Sequence, residues 1–161
     1  MGFMSFIGRV SFSAIFILAA WQKIQDFGQD GGAALKAMDP KFDLFLKNVN
    51  EALHLHLALP HGVETKHLLM VAIALEGLGG ILFTLGSTMG AYLLLTFIAA
   101  VTPVMHDFYN YDISTGDYLH QFNSFLKNLS LFGALLFFLG MKNSAYRAMM
   151  RKKQPLKAKV Q

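Results

Sequence analysis

The chain has 161 residues, of which 54% are hydrophobic and only 15% are charged, and its mean hydropathy is +0.42. A soluble domain usually carries about 25% charged residues, so this composition indicates a membrane protein with several spans. The chain contains no cysteine, which excludes disulfides, thiolate metal sites and thiol redox chemistry.

Four segments approach the ~20 apolar residues that a helix needs to cross a bilayer. They lie at about 3–24, 68–85, 91–105 and 122–141. The stretch GSTMG separates the second segment from the third, and its glycines are typical of a tight helical hairpin. The sequence therefore predicts an all-α membrane protein with a four-transmembrane-helix bundle in 1–141 and a basic tail in 142–161.

The first segment allows a second interpretation, because its basic start and small residues also resemble a signal peptide. Two features favour a retained helix. Arg9 lies one turn inside the apolar stretch, and the stretch continues into Trp21 and Lys23, a pair typical of the membrane interface. We therefore predict a first transmembrane helix with Lys23 as an interfacial anchor.

The long connection after this segment contains a helical pattern. Asp39 and Pro40 form an N-cap and a first helical position. Apolar residues then recur every three or four positions, at Phe42, Phe45, Leu46, Val49 and Leu53. We predict an amphipathic helix that ends at Pro60 to Gly62 and that either lies on the membrane surface or caps the bundle.

Three ionisable side chains lie in the predicted membrane helices: Arg9, Glu76 and Lys127. Each costs about 2.5 to 3.5 kcal/mol at the middle of a membrane helix, so we expect Glu76 to be the common partner of both cations. Small residues around Glu76 let another helix approach it closely. The polar stripe that contains Arg9 is expected to face the stripe that contains Lys127 and Asn128.

This predicted intramembrane polar cluster comprises Arg9, Glu76, Lys127 and Asn128. Two interpretations of it stay open. It either fixes the pairing of the helices, with the cations reaching to the interface, or lines a functional pocket.

The charges indicate an orientation. The tail from Lys142 to Gln161 holds seven basic residues and no acidic one, whereas the connection from His106 to Gln121 holds three aspartates and no Lys or Arg. The positive-inside rule then predicts a cytosolic tail, and an even number of spans places the N-terminus on the same side. Anionic lipid, and not nucleic acid, is the partner that we expect for a short basic tail beside a span.

The last five residues, KAKVQ, place Lys157 and Lys159 in the pattern of the KxKxx dilysine signal. Coat proteins use that signal to return membrane proteins to the endoplasmic reticulum, so the coat-protein retrieval machinery is a predicted partner. We predict a multi-pass protein of the endoplasmic reticulum membrane; another internal membrane, such as a mitochondrial one, is the alternative.

All six histidines lie in the two connections assigned to the non-cytosolic side: His54, His56, His61, His67, His106 and His120. None has the helical spacing of a strong metal site, so no metal is expected. Ordinary interfacial polarity is the leading interpretation, and a pH-responsive surface is the alternative.

The sequence lacks the GxSxG elbow, the Walker loop and a GxGxxG after a strand. An intramembrane acid–base pair of Glu76 with Lys127 is the one catalytic arrangement that it offers. We therefore expect no enzymatic activity and no cofactor, with a lipid or quinone as the ligand if one is bound.

Three stretches resemble a known family: MGFMSFIGRVSFSAIFILAAWQKIQDFGQDGG, LEGLGGILFTLG and FLKNLSLFGALL. They are similar to the DoxX-like superfamily and, within it, to the plant HR-like lesion-inducing proteins, over nearly the whole chain. That superfamily is similar to the surfeit-locus cargo receptors of the endoplasmic reticulum. In this resemblance Glu76 matches an acidic position of the second helix, and Lys127 and Asn128 match a KN pair of the fourth.

The resemblance implies a four-helix membrane protein of the endoplasmic reticulum, associated in plants with hypersensitive-response-like cell death. Its relatives include quinone-linked oxidoreductase subunits, assembly chaperones and cargo receptors. Two functions therefore stay open: a non-enzymatic cargo receptor, assembly chaperone or partner subunit that binds other membrane proteins, and a lipid- or quinone-binding subunit of a membrane oxidoreductase.

Overall fold

Helices make up most of the described chain, which in this computed structural model comprises residues 2–28 and 30–153. The elements are α1 (Phe3–Asp26), α2 (Gly32–Leu53), α3 (Thr65–Thr84), α4 (Thr88–Met105), a 3-10 turn (Phe108–Asn110) and α5 (Gly116–Lys153). By length and composition, α1, α3, α4 and α5 can each cross a membrane. The predicted fold class, an all-α protein with four spans, is confirmed.

The spanning helices pack as antiparallel neighbours in the order α1, α3, α4, α5. Glycines of α3 let both neighbouring helices approach closely. A Cβ on Gly80 would meet Cγ1 of Ile17 on α1 at 2.8 Å, and one on Gly79 would meet the side chain of Leu94 on α4 at 3.0 Å. All four spans contribute to one apolar core, which contains Phe16, Phe83, Leu94 and Leu135.

Helices α1 and α5, at the two ends of this order, are not neighbours. In the part of the chain that the structure describes, no Cα atom of α5 lies within 8 Å of one in α1 or α3. The prediction that the polar stripes of α1 and α5 face each other is therefore wrong. Among the spans, α5 packs closely against α4, and it reaches α3 through long side chains such as Phe138, whose ring centroid lies 4.7 Å from that of Phe83.

The turn between α3 and α4 depends on its glycines, as the sequence predicts. Gly86 has a φ of 82°, in the left-handed region, and the N–H of Ser87 donates to the carbonyl of Leu82 at 3.0 Å. The Ser87 hydroxyl then caps α4 by accepting from Met89 N at 3.2 Å. Any Cβ on Gly90 would collide with the backbone of Phe83.

Helix α2 begins earlier than predicted. Its N-cap is Gly31, with a φ of 78°, so the prediction that Asp39 caps the helix at Pro40 is wrong. Pro40 lies inside the helix, where a proline costs about 3 kcal/mol. The turn before it offsets that cost, because Leu35 and Met38 pack against the core between α1 and α3.

The end of α2 is also earlier than the predicted Pro60 to Gly62. His54 takes a left-handed conformation with a φ of 52° and ends the helix at Leu53. The Asn50 side chain exchanges two hydrogen bonds with the backbone of Leu57, at 2.7 and 2.9 Å, and so folds the chain back. Most of the predicted apolar face is half-buried, and α2 contacts α1, α3 and α4 as a cap.

Helix α5 is far longer than the bilayer requires. Its 38 residues span about 57 Å at 1.5 Å per residue, against about 30 Å of hydrocarbon. The helix therefore continues beyond Met141, through the start of the basic tail, to Lys153. The predicted sorting residues Lys157 and Lys159 lie outside the described residues.

Candidate intramembrane binding site

An ion pair lies inside the helix assembly. Lys23 Nζ on α1 donates to Glu76 Oε2 on α3 at 2.7 Å, and the Glu76 side chain is only 5% exposed. Glu76 lies near the middle of α3, whereas Lys23 lies one turn before the end of α1. The lysine side chain leans toward the N-terminus of its own helix, which brings its ammonium group inward to the carboxylate.

The predicted pairing of Glu76 with Arg9 is wrong. Arg9 is buried at the opposite end of α1, about 21 Å from Lys23 along the helix axis. There its Nε donates to the carbonyl of Thr84 at 3.2 Å and its Nη1 donates to the Ser5 hydroxyl at 3.1 Å. The antiparallel packing places Arg9 level with the last turn of α3, away from Glu76.

The predicted pairing of Glu76 with Lys127 is also wrong. Lys127 is exposed on the surface of α5, and no Cα atom of the described part of that helix lies within 8 Å of one in α3. The neighbouring Asn128 is half-buried, and its Nδ2 donates to Thr102 Oγ1 on α4 at 3.0 Å. The four predicted site residues thus do not form one cluster. Glu76, Arg9 and Asn128 have separate partners, and Lys127 is exposed.

Sequence reasoning missed two hydroxyl partners and one cation. Thr84 and Thr102 lie in apolar stretches of the sequence. Because a buried hydroxyl needs a hydrogen-bond partner, a threonine in such a stretch indicates a polar contact between helices. Thr84 Oγ1 also hydrogen-bonds with the fully buried Ser13. Lys23 was missed because it follows Trp21 near the end of the apolar run, which is the usual position of an interfacial anchor.

Two adjoining cavities lie beside the ion pair, beneath α2. The smaller one, of about 160 Å³, has Lys23 and Glu76 in its wall. The larger one, of about 230 Å³, is lined by apolar side chains of α2, α3 and α4. Met38, Ala72 and Phe97 line both. The site is therefore an apolar space with a single charged pair at one end.

Polar contacts from the middle and the second half of α2 hold this helix over the cavities. Lys41 Nζ donates to the carbonyl of Met105 at 2.8 Å and to Asp107 Oδ1 at 2.7 Å, and Asp107 is only 3% exposed. Asn48 Nδ2 donates to Asn110 Oδ1 at 2.7 Å. Helix α2, which covers both cavities, is thus attached to the chain segment that follows α4.

The lining residues determine what this site can do. Nearly all are aliphatic, methionine or phenylalanine side chains, and the polar side chains among them are Lys23 and Glu76. An apolar space with a few convergent polar groups suits the binding of a small amphiphile. The ammonium group can donate to an acceptor on a bound headgroup, and the carboxylate can accept from a donor.

The histidines lie away from this site. His54, His56 and His61 are exposed on the connection between α2 and α3. His67 is exposed in the first turn of α3 and His120 near the start of α5, whereas His106, just after α4, is half-buried. Leu53, Leu55 and Leu57, which alternate with His54 and His56, are exposed as well.

A family model described as HR-like lesion-inducing matches residues 1–141, which include α1 to α4 and about the first two thirds of α5. No curated protein and no solved structure matches the chain.

Proposed function

The chain belongs to the HR-like lesion-inducing family, and from this premise we propose that it is a multi-pass membrane protein that binds an amphiphilic molecule beneath α2. The polar head of the ligand meets Lys23 and Glu76, and its apolar part occupies the adjoining cavity. We propose further that this binding links the protein to hypersensitive-response-like cell death. The single observation that carries the proposal is the buried ion pair in the wall of an otherwise apolar cavity.

The chemistry of the walls supports a lipid or an isoprenoid quinone as the ligand class. Both combine an apolar chain or ring with a head that accepts hydrogen bonds, and Lys23 can donate to such a head while it stays beside Glu76. The resemblance to the DoxX-like superfamily that we proposed from the sequence, with its quinone-linked oxidoreductase subunits, points to the same class.

Filling the cavity is expected to remove the ligand. Ala72 is half-buried and lines both cavities, so Ala72→Phe places a ring in the space that the apolar part of the ligand would occupy. We expect mass spectrometry of protein purified in a mild detergent to show a stoichiometric lipid or quinone with the wild type. The variant should retain less than about one tenth of it, the effect of roughly 1.4 kcal/mol of lost binding free energy.

The control is Ala99→Phe, at an exposed position of α4 outside both cavities. This variant should keep the ligand. If the wild type carries no lipid or quinone above the level of the bulk detergent extract, or if both variants retain it equally, the proposed binding function is contradicted.

A second candidate function is the binding of other membrane proteins, as a cargo receptor or assembly chaperone. The observation in its favour is the loop after α2, where exposed Leu53, Leu55 and Leu57 alternate with His54 and His56. Contiguous exposed apolar patches are typical of contact surfaces. Crosslinking through this loop in native membranes distinguishes the candidates, because only the second requires a protein partner there.

For either function we propose the endoplasmic reticulum membrane as the location, with both termini in the cytosol. The lysine pattern of the tail and its excess of positive charge support this proposal. Replacing Lys157 and Lys159 with alanine should move a tagged full-length protein forward to the Golgi in cells. Arg147→Ala with Arg151→Ala removes the same charge without the signal, and an unchanged location of the dilysine variant would contradict the proposed retrieval.

A further inference from the structure

A groove lies between α4 and α5, at the opposite end of the molecule from α2. It has a volume of about 880 Å³ and runs between the start of α4 and the second half of α5. At its inner end it is lined by leucines of both helices, among them Leu95, Leu136 and Leu139. At its outer end it is lined by Thr88, Tyr92, Lys142, Asn143 and Tyr146, together with Ala145 and Met149. One groove thus changes along its length from apolar to polar and basic.

From the register of α4 and α5, we place the change from an apolar to a polar lining at the membrane boundary. Asn128 on α5 bonds to Thr102 on α4, and Lys142 lies as many residues beyond Asn128 as Thr88 lies before Thr102. Lys142 is therefore level with the first residue of α4. Beyond it α5 continues alone to Lys153, for about 16 Å.

The charge on this face is of one sign. All ten acidic residues of the chain lie between Asp26 and Asp117, so the sequence supplies no carboxylate to the exposed end of α5. Arg147 and Arg151 are exposed there, and the Lys142 ammonium lies over the Phe138 ring, 5.6 Å from its centroid. Tyr92 and Tyr146 are exposed at the level where interfacial aromatic residues lie.

We propose that this groove is a binding site for an anionic glycerophospholipid. One acyl chain lies between α4 and α5 against the leucines, and the phosphate of the headgroup faces Lys142 and Arg147. The phosphate supplies a negative charge beside these basic side chains, where the described part of α5 after Asp117 carries no acidic residue, and the acyl chain covers an apolar surface next to it. The site is separate from the cavity beneath α2 and does not depend on the function proposed for that cavity.

Gly140 offers a direct test, because it lines the groove and a Cβ built on it meets no atom within 4 Å. Gly140→Trp therefore fills the groove without changing the charge or removing a packing contact. Gly133→Trp is the matched control, since its Cβ also meets nothing within 4 Å and it does not line the groove. Lys142→Gln with Arg147→Gln removes the charge and leaves the groove open.

The experiment titrates the delipidated full-length protein, in a neutral detergent, with phosphatidylserine or phosphatidylcholine and counts bound lipids by native mass spectrometry. We expect phosphatidylserine to bind the wild type about tenfold more tightly than phosphatidylcholine. The double charge variant should lose about fivefold in phosphatidylserine affinity for each charge removed. Gly140→Trp should lose the first bound lipid, and Gly133→Trp should keep it.

Lys36→Gln with Lys47→Gln removes two charges from α2, at the other end of the molecule, and serves as the charge control. Equal affinities of the wild type for the two lipids would overturn the proposal. It would equally be overturned if the preference survived both the charge variant and Gly140→Trp, or if the α2 control lost the preference to the same extent.

Discussion

Replacing Glu76 with alanine is expected to lower the free energy of unfolding by about 2 to 3 kcal/mol, less than the ~3 to 5 kcal/mol lost when one partner of a fully buried ion pair is removed. The carboxylate is 5% exposed and bonds to Lys23 at 2.7 Å, but the Lys23 side chain is 30% exposed, so the variant leaves a partly buried ammonium group without its counter-charge. Equilibrium unfolding in mixed detergent micelles, followed by tryptophan fluorescence of Trp21, measures the loss.

Two further variants show whether the loss comes from the unpaired charge. Glu51→Ala removes a carboxylate from an exposed pair with Lys47, at 4.0 Å, and should change the stability by about 0.5 kcal/mol or less. Lys23→Leu with Glu76→Leu removes both charges and should recover most of the stability, while the ligand beneath α2 is lost. If Glu76→Ala were no more destabilising than Glu51→Ala, the pair would not be buried as the structure shows.

Replacing Gly90 with alanine should be equally damaging, with a loss of about 2 to 3 kcal/mol in the free energy of unfolding. A Cβ at this position would lie 2.7 Å from the backbone carbon of Leu82 and 2.8 Å from the carbonyl oxygen of Gly79. Backbone atoms cannot move aside as the end of a side chain can, so α3 and α4 must separate. Equilibrium unfolding in mixed detergent micelles, followed by the fluorescence of Trp21, measures this loss of stability as well.

The matched control for that change is Gly133→Ala, on the exposed surface of α5. A Cβ there meets no atom within 4 Å, so the higher helix propensity of alanine should stabilise the protein by about 0.5 to 1 kcal/mol. The two alanine substitutions are thus expected to act in opposite directions. A stabilising effect at Gly90 would mean that α3 and α4 do not approach as closely as described.

The sequence determined the spanning helices well because hydrophobic length is a local property. Gly86 and Gly90 marked the α3–α4 turn for the same reason, since a left-handed φ and a close backbone approach both call for glycine. The start of α2 was predicted too late, at Pro40. The turn before the proline forms because Leu35 and Met38 pack on α1 and α3, and local preference carries no information on that packing.

The pairing of charges could not be obtained from the sequence in the same way. It depends on which helices are neighbours and on their register, and both are properties of the whole assembly. Arg9 and Lys127 looked equally suited to Glu76, but Arg9 lies at the other end of α1 and Lys127 lies on the exposed surface of α5. Lys23 reaches Glu76 only because α1 packs directly against the glycines of α3.

The interaction free energy of Glu76 with each of the three cations tests the identity of the charged pair in the cavity wall most directly. Double-mutant cycles with Lys23, Arg9 and Lys127, each replaced by methionine, give these values from unfolding measurements. We predict a coupling of at least about 1.5 kcal/mol for Lys23 and of no more than about 0.5 kcal/mol for Arg9 and Lys127. A coupling with Arg9 or Lys127 that equals or exceeds the coupling with Lys23 would contradict the site described above.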